Sequence, residues 1–506
     1  MNFLKRLTNL SLVWLILTSC SSLPFIDIEK SLQDLVSEKS DDLSNPLTVF
    51  EINLVPDFQS DLEDMQSATI YQVEISIADT LIDISGHQEV TYTNTETTSL
   101  DEIYFRMFPN ISGSYMTVQN VKVNGKTVST STVYRNTALR FELPAALQPG
   151  EIITISMDFD LHVPDTMGGN YGLYVYQDEI LALDQFMPII PVFNDQGWNV
   201  EDPPINADMV FTDAAFFEVT VDAPQGLVLA GSGVEISSNE NGERRKVTFV
   251  GGPQRDFYLA ASPRFQSASQ QVGDTRITSF FLEEYRESGE QVLTTAVKAL
   301  RSYNERFGLY PYGELDLIST PMNAGGMEYS NAVALSIQYY GIGNSYNGLP
   351  ATIFLESAAA HEVAHQWFFA QIMNDQIEQP WLDEGLAQYA TYLYYLDSYG
   401  ESAAQGYVDS WHGRWGRVDR QPIPIGKPAG EYTQAEYSAI IYGRSPLFFT
   451  EMEKQMGEQE FRQLLKEYVS EYRWGIVDEA QFEALAEDTC MCELSELFDE
   501  WVRGII

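Results

Sequence analysis

The feature that most constrains the fold is a change in hydrophobic period partway along the chain. In residues 71–77, 153–159 and 217–221, apolar and polar side chains alternate, which is the pattern of half-buried β-strands. In residues 290–307 the apolar side chains instead recur every three or four positions, as they do on an amphipathic helix. The sequence therefore predicts a multidomain protein, all-β first and then α+β with mainly helical structure.

Length and composition set the domain organisation. The chain has 506 residues, of which 44% are hydrophobic, so it can fill the cores of several domains. We predict a signal peptide at 1–19, an acidic flexible tether at 20–67, a β domain at 68–268 and a mainly α domain at 269–506.

The charge balance limits the possible partners. The chain has 29 Lys+Arg against 73 Asp+Glu, which gives a formal net charge of −44. A phosphate backbone would be repelled by this charge, so nucleic acid is excluded as a partner. Two interpretations of the acidity stay open, namely a solvated surface adapted to salt and the attraction of cationic substrates.

The N-terminus has the pattern of an export signal. Lys5 and Arg6 precede an apolar stretch at 7–17 that is too short to span a bilayer comfortably, and small residues lead up to Cys20. The segment Leu-Thr-Ser-Cys resembles the lipobox of bacterial lipoproteins, which implies cleavage before Cys20 and lipidation of its thiol. We therefore expect a lipid-anchored protein on the extracytoplasmic side of a membrane in the cell envelope. A plain signal peptide or an uncleaved anchor is the alternative.

The other two cysteines, Cys490 and Cys492, are separated by Met491 alone. Two buried free thiols are the favoured interpretation, and a disulfide in an oxidising compartment is the alternative. Neither interpretation provides a cysteine metal site.

A metal-binding pattern lies in the helical half of the chain. His361 and His365 are four positions apart in a helix-forming run, so both imidazoles share one face and can bind one ion. Glu362 lies beside them as a general base, and Glu384 in a second helical segment can supply a third ligand. Two His and one Glu leave an open coordination position, which predicts a catalytic zinc site, one per chain.

This constellation resembles the gluzincin metallopeptidases. The segment Gly325-Gly326-Met327-Glu328-Tyr329 is similar to the exopeptidase signature of the aminopeptidase N and leukotriene A hydrolase family. The resemblance covers most of the chain and implies a saddle-like all-β domain followed by a thermolysin-like catalytic domain. It also implies that Glu328 binds the free α-amino group of the substrate, while Gly325, Gly326 and Met327 line the strand against which the substrate backbone lies.

Two further residues are assigned through this resemblance. Tyr442, in AIIYGRSPLFF, takes the place of the tyrosine that stabilises the transition state, with Tyr432 and Tyr437 as competitors. Gln185, in LALDQFMP, is a candidate second contact to the substrate amine.

The sequence departs from the family pattern in several places. Tyr329 and Asp383 stand where asparagine is usual, and Arg444 and Ser445 replace a lysine and a glycine after the tyrosine. The chain extends to Ile506, without the long helical C-terminal domain of many relatives, so we expect a more open site that accepts longer peptides.

Together these features predict a membrane-anchored zinc aminopeptidase that acts on peptides with a free N-terminus. Its zinc would be bound by His361, His365 and Glu384, with Glu362 moving the proton. An endopeptidase on the same scaffold and a non-catalytic peptide-binding lipoprotein are the alternatives.

Overall fold

The alternating segments of the first half form strands whose apolar side chains point into a common core. The computed structural model describes residues 45–111, 113–167, 171, 173–204, 210–346 and 349–505. The strands of the β-rich region are β1 Ile70–Ile77, β2 Asp83–Thr93, β3 Leu100–Arg106, β4 Tyr115–Val123, β5 Lys126–Thr127, β6 Thr130–Val133, β7 Ala138–Leu147, β8 Ile152–His162, β9 Tyr174–Gln177, β10 Ile180–Leu183, β11 Phe193–Asn194, β12 Gly197–Trp198, β13 Ala215–Pro224, β14 Val228–Gly231, β15 Val234–Asn241, β16 Arg244–Gln254 and β17 Leu259–Ser262.

These strands pair into one large sheet and several small ones. The large sheet has eight strands in the order β15-β16-β13-β1-β2-β8-β4-β5, in which β1 is parallel to β13 and antiparallel to β2. Smaller sheets have the orders β14-β17-β10-β9, β3-β7-β6 and β11-β12. In β1 the side chains of Tyr71, Val73, Ile75 and Ile77 are buried while their neighbours face outward, as the period of two predicts.

The second region combines a smaller sheet with helices. Its strands are β18 Phe265–Val272, β19 Thr275–Leu282, β20 Glu314–Thr320, β21 Gly326–Tyr329, β22 Ala332–Ser336, β23 Ser345–Tyr346 and β24 Leu349–Pro350. Its helices are α1 Arg286–Phe307, α2 Ala351–Ala364, α3 Pro380–Tyr399, α4 Glu401–Trp415, α5 Gln434–Ala439, α6 Ser445–Met456, α7 Glu458–Glu471, α8 Glu479–Cys490 and α9 Ser495–Phe498. Five strands pair in the order β18-β19-β20-β22-β21, which leaves β21 at an edge and antiparallel to β22. The predicted order, β-rich and then mainly helical, is confirmed.

Buried aromatic side chains fix the helices that carry the chemistry. Trp381 in α3 is fully buried and its ring contacts Phe448, Phe449, Phe482 and Phe498, which come from α6, α8 and α9. These contacts hold the start of α3, and with it the segment that contains the predicted glutamate ligand.

The structure differs from the predicted tether. The sequence predicts a flexible segment as far as residue 67, whereas Thr48–Asn53 and Pro56–Met65 are 3₁₀ helices. Phe50, Leu54, Phe58 and Leu62 are all buried, so apolar side chains of this segment belong to the packed structure. Phe50, for example, lies 4.9 Å from Phe216 between ring centroids. The remainder of the predicted tether and the signal peptide lie outside the described residues.

The favoured interpretation of the two C-terminal cysteines as free thiols is wrong. Cys490 and Cys492 form a disulfide, with a Cα–Cα distance of 5.2 Å. The sequence did not reveal that Met491 between them ends α8 in the left-handed conformation, with φ at 50°, which turns the chain back at that point.

By its contacts the chain divides into Met1–Val49 and Phe50–Ile506. The second unit contains both the β-rich and the helical region. Among the described residues, none of the helices has the length and apolar character required to cross a bilayer.

Candidate active site

Helix α2 brings the two predicted histidines together. His361 lies in its last turn and His365 directly follows it, so the four-residue spacing places both side chains on one face. Their Nε2 atoms are 3.3 Å apart, and His365 is fully buried. The Nδ1 atom of His365 is 3.0 Å from the carbonyl oxygen of Phe368, a contact that orients the ring and leaves Nε2 facing the site.

Helix α3 supplies the third donor. Oε2 of Glu384 lies 3.1 Å from Nε2 of His361 and 3.7 Å from Nε2 of His365. Nitrogen and oxygen ligands at zinc distances around a tetrahedral ion are about 3.3 Å apart. The three donor atoms therefore fit one zinc ion.

The charges around these donors favour a cation. Burial opposes ionisation of Glu384, but hydrogen bonds from the two imidazoles hold the pKa of its carboxyl well below the usual range. Burial also disfavours a charged His365, yet the carboxylates of Glu328 and Glu384 raise the pKa of this imidazole well above its ordinary value. The carboxylates of Glu328, Glu362 and Glu384 around this imidazole would also favour a divalent metal ion.

The general-base candidate, Glu362, is held between α2 and the edge strand β21. One of its carboxylate oxygens and one nitrogen of each imidazole all lie within 4.8 Å of one another. Strand β21 passes so close that a Cβ on Gly326 would be 2.5 Å from Cγ and Oε1 of Glu362. A side chain at this position would displace the Glu362 carboxylate, so glycine lets the strand approach the catalytic helix without disturbing it.

Glu328 follows on the same strand and is almost fully buried. It accepts a hydrogen bond of 3.2 Å from Nε2 of Gln376, which also donates to Asp383 at 2.8 Å. Burial raises the pKa of the Glu328 carboxyl, and burial together with the charge of Glu384 raises the pKa of Asp383 to about 7. A cationic group that reached Glu328 would favour its ionised form, which suits a carboxylate that binds an ammonium.

Tyr442 lies in a π-helical turn, Ile440–Arg444, between α5 and α6. Its hydroxyl donates a hydrogen bond to Oε1 of Glu384, so the phenol is next to the predicted zinc ligands. Of the two competitors, Tyr432 donates its hydroxyl hydrogen to the carbonyl oxygen of Pro424, at 2.7 Å. Its hydroxyl therefore forms a hydrogen bond away from the predicted zinc ligands. Tyr437 also lines the site, and its ring centroid is 6.1 Å from that of Tyr442. Tyr437 therefore stays a competitor.

Arg444, one of the departures from the family pattern, has a structural role. Its guanidinium is buried and donates hydrogen bonds to the backbone carbonyls of Ile423 and Trp501. These bonds tie the π-helical turn to the C-terminal segment of the described chain.

Gln185 is fully buried, and neither polar atom of its side chain has a hydrogen-bond partner among the described residues. Burial raises the pKa of the neighbouring residue Asp184 well above its usual value. The negative charge of Glu328 adds to this rise, which places Asp184 near Glu328. Gln185 is absent from the described residues that line the cavity at the histidines. Its contact with a substrate amine stays a prediction, and Cys20 lies outside the described residues.

Most of the predicted site residues meet at one cavity of about 450 Å³. Gly325, Gly326, Met327, Glu328, His361, Glu362, Glu384 and Tyr442 all line it. The motifs did not reveal the rest of the wall, which includes Tyr171, Tyr339, Phe354, Gln388, Tyr407, Arg414 and Gln434. Gln388 follows Glu384 by four positions on α3, and Phe354 precedes His361 by seven on α2, so helical spacing could have indicated these two. The others come from separate elements, and no local pattern in the sequence distinguishes them.

Comparisons with known proteins agree with this geometry. Residues 292–501 match the Peptidase family M1 domain. Aminopeptidase 2 of Candida albicans is 24% identical over 79% of this chain and 44% of the relative, and Tricorn protease-interacting factor F2 of Thermoplasma acidophilum is 24% identical over 52% and 35%. The chain thus spans less than half the length of these curated relatives.

The solved structures support the fold over most of the chain. The M1 zinc metallopeptidase from Deinococcus radiodurans has a TM-score of 0.63 at 20% identity, with 86% of this chain and 94% of that chain covered. A mutant of that enzyme bound to a Tyr-Ser-Ala substrate has the same TM-score and identity, with 87% and 95% covered.

The fold is that of the M1 zinc metallopeptidase structures, and the arrangement of His361, His365 and Glu384 is that of a gluzincin-type zinc-binding site. Residues 292–501 are similar to peptidase family M1, and the curated relatives include aminopeptidases, in agreement with the aminopeptidase N-like resemblance that the motifs indicate. Zinc is the metal that this family implies, and the three donors fit it.

Proposed function

We propose that this protein is a zinc aminopeptidase that removes N-terminal residues from peptides. The observation that carries the proposal is that Glu328, an anchor for an ammonium group, lines the same cavity as Glu362 and the metal ligands. A carboxylate oxygen of Glu328 and a ring nitrogen of His365 lie within 4.8 Å of each other, so Glu328 is placed to select a substrate with a free amine close to the cleaved bond. The substrate-bound Deinococcus radiodurans structure supports a peptide as the substrate.

The chain's own residues divide the chemistry between them. Zinc, when bound by the three donors, supplies Lewis acidity that polarises the scissile carbonyl and activates water. Glu362 accepts the proton of the attacking water and delivers it to the amine that leaves, so the residue ends in its starting form. The Tyr442 hydroxyl donates a hydrogen bond to the carbonyl oxygen as negative charge develops there.

The test compares free and N-acetylated forms of a panel of aminoacyl-aminocoumarins, with and without a chelator. We expect only the free amines to be cleaved, with activity lost on chelation and restored by added zinc. Glu328→Gln keeps the shape of the side chain and removes its charge. We therefore expect kcat/KM on free amines to fall about 10- to 150-fold, because a hydrogen bond to a charged group contributes a free energy of that size.

The control variant is Glu305→Gln, which makes the same charge change at an exposed position of α1 and should behave as wild type. Equal cleavage of acetylated and free substrates would contradict the aminopeptidase proposal and favour an endopeptidase. Specific binding of peptides without any turnover would favour the non-catalytic alternative.

We also propose that the protein is lipid-anchored through Cys20 in the cell envelope. The support is the lipobox-like segment behind a short apolar run with two basic residues before it. Cys20→Ser should release the protein from membranes or block its processing, which fractionation and mass spectrometry of the N-terminus would measure. A mature N-terminus at another residue, without acyl chains, would contradict the proposal.

A further inference from the structure

One cation faces the otherwise acidic active-site cavity. The cavity wall includes the carboxylates of Glu328, Glu362 and Glu384, and Arg414 is its single Lys or Arg among the described residues. The cavity belongs to a chain with a net charge of −44, so an anionic substrate is repelled unless a local positive charge offsets that repulsion. Because Arg414 lines the cavity, its positive charge can offset this repulsion locally.

Arg414 has no carboxylate partner within the described part of the chain. Other arginines of the helical region do, such as Arg306 with Asp397 and Arg503 with Glu483. Buried Arg444 donates hydrogen bonds to backbone carbonyls instead. Acidic residues strongly outnumber basic ones in this chain. A guanidinium that lines the cavity and forms no ion pair with the described residues can therefore interact with a ligand.

The position of Arg414 is fixed by helix packing beside the reaction centre. It lies in the last turn of α4, which approaches the π-helical turn so closely that a Cβ on Gly443 would be 3.0 Å from Cβ of Arg414 and from the carbonyl oxygen of Trp411. The guanidinium carbon lies 5.5 Å from the centre of the Tyr442 ring. Arg414 is therefore adjacent to the residue that would contact the scissile carbonyl.

We propose that Arg414 binds a carboxylate group of the substrate and gives the site a preference for peptides that carry one near the scissile bond. The planar guanidinium can donate two parallel hydrogen bonds to a carboxylate, which is its preferred partner. The carboxylate is either the C-terminus of a short peptide or an acidic side chain. The proposal rests on the peptidase function proposed above.

Three substrate pairs distinguish these sources. Alanyl-alanine against its C-terminal amide tests a terminal carboxylate, and alanyl-glutamate amide against alanyl-glutamine amide tests a side chain after the scissile bond. Glutamyl- against glutaminyl-aminocoumarin tests a side chain before it. In wild type we expect the carboxylate-bearing member of at least one pair to have a kcat/KM about tenfold or more higher, as for a charge-assisted hydrogen bond.

In Arg414→Gln that ratio should fall towards one, and Arg414→Lys should retain part of it because a point charge remains. Arg417→Gln is the matched control, since it makes the same charge change at an exposed position outside the cavity wall. If Arg414 acted only by supporting Tyr442, both members of each pair would lose activity equally and the ratio would not change. Wild type without a preference in any pair, or a preference that persists in Arg414→Gln, would overturn the proposal.

A binding measurement separates this inference from the proposed function. Calorimetric titration of zinc-loaded Glu362→Gln with the same pairs measures affinity without turnover. Tighter binding of the carboxylate-bearing member, lost when Arg414→Gln is added, supports Arg414 even if wild type fails to hydrolyse any peptide. Equal affinities within every pair would overturn the inference while the peptidase proposal stands on its own assay.

Discussion

Replacing Glu362 by glutamine should lower kcat by about 10²–10⁴-fold while one zinc per chain stays bound. Glu362 lies beside the two imidazoles and lines the cavity, but the atoms that fit the ion come from His361, His365 and Glu384. The amide of glutamine keeps the size of the side chain and cannot take up a proton from water. Steady-state kinetics and metal analysis of the purified variant measure the two effects separately.

The comparison for this prediction is the set of ligand substitutions. His361→Ala, His365→Ala and Glu384→Ala should each lose zinc as well as activity, because each removes one of three donors. Near-normal kcat in Glu362→Gln would show that another group moves the proton. Loss of zinc from Glu362→Gln would instead show that this carboxylate belongs to the ligand set.

Replacing Tyr442 by phenylalanine should lower kcat by about 10²–10³-fold, with a smaller change in KM. The substitution keeps the ring and removes only the hydroxyl, which lies beside Glu384 and faces the cavity. Zinc content and thermal unfolding should stay close to those of wild type, because the ring contacts remain.

Tyr437→Phe is the matched control for this prediction, since Tyr437 also lines the cavity and its ring contacts that of Tyr442. We expect it to affect kcat less than Tyr442→Phe does. The reverse result, with Tyr442→Phe nearly silent and Tyr437→Phe strongly impaired, would transfer the role to Tyr437.

The sequence by itself determined the parts of this protein that depend on neighbours along one element. His361 and His365 share a face because a helix repeats nearly every four residues, and the buried face of β1 follows from a period of two. The order of the two regions follows from these local patterns, because the hydrophobic period differs between strands and helices. The resemblance to a family rests instead on short motifs, such as the segment from Gly325 to Tyr329.

Only the tertiary structure decided which distant elements meet. The closeness of Gly326 to Glu362, the choice of Tyr437 over Tyr432 as the remaining competitor and the position of Arg414 in the cavity wall all depend on contacts between separate elements. Such contacts are set by how buried side chains such as Trp381 pack the helices together, and packing depends on the shapes of many residues at once. Local periodicity specifies which face of an element is buried, whereas the partner of that face is chosen by the packing of the whole core.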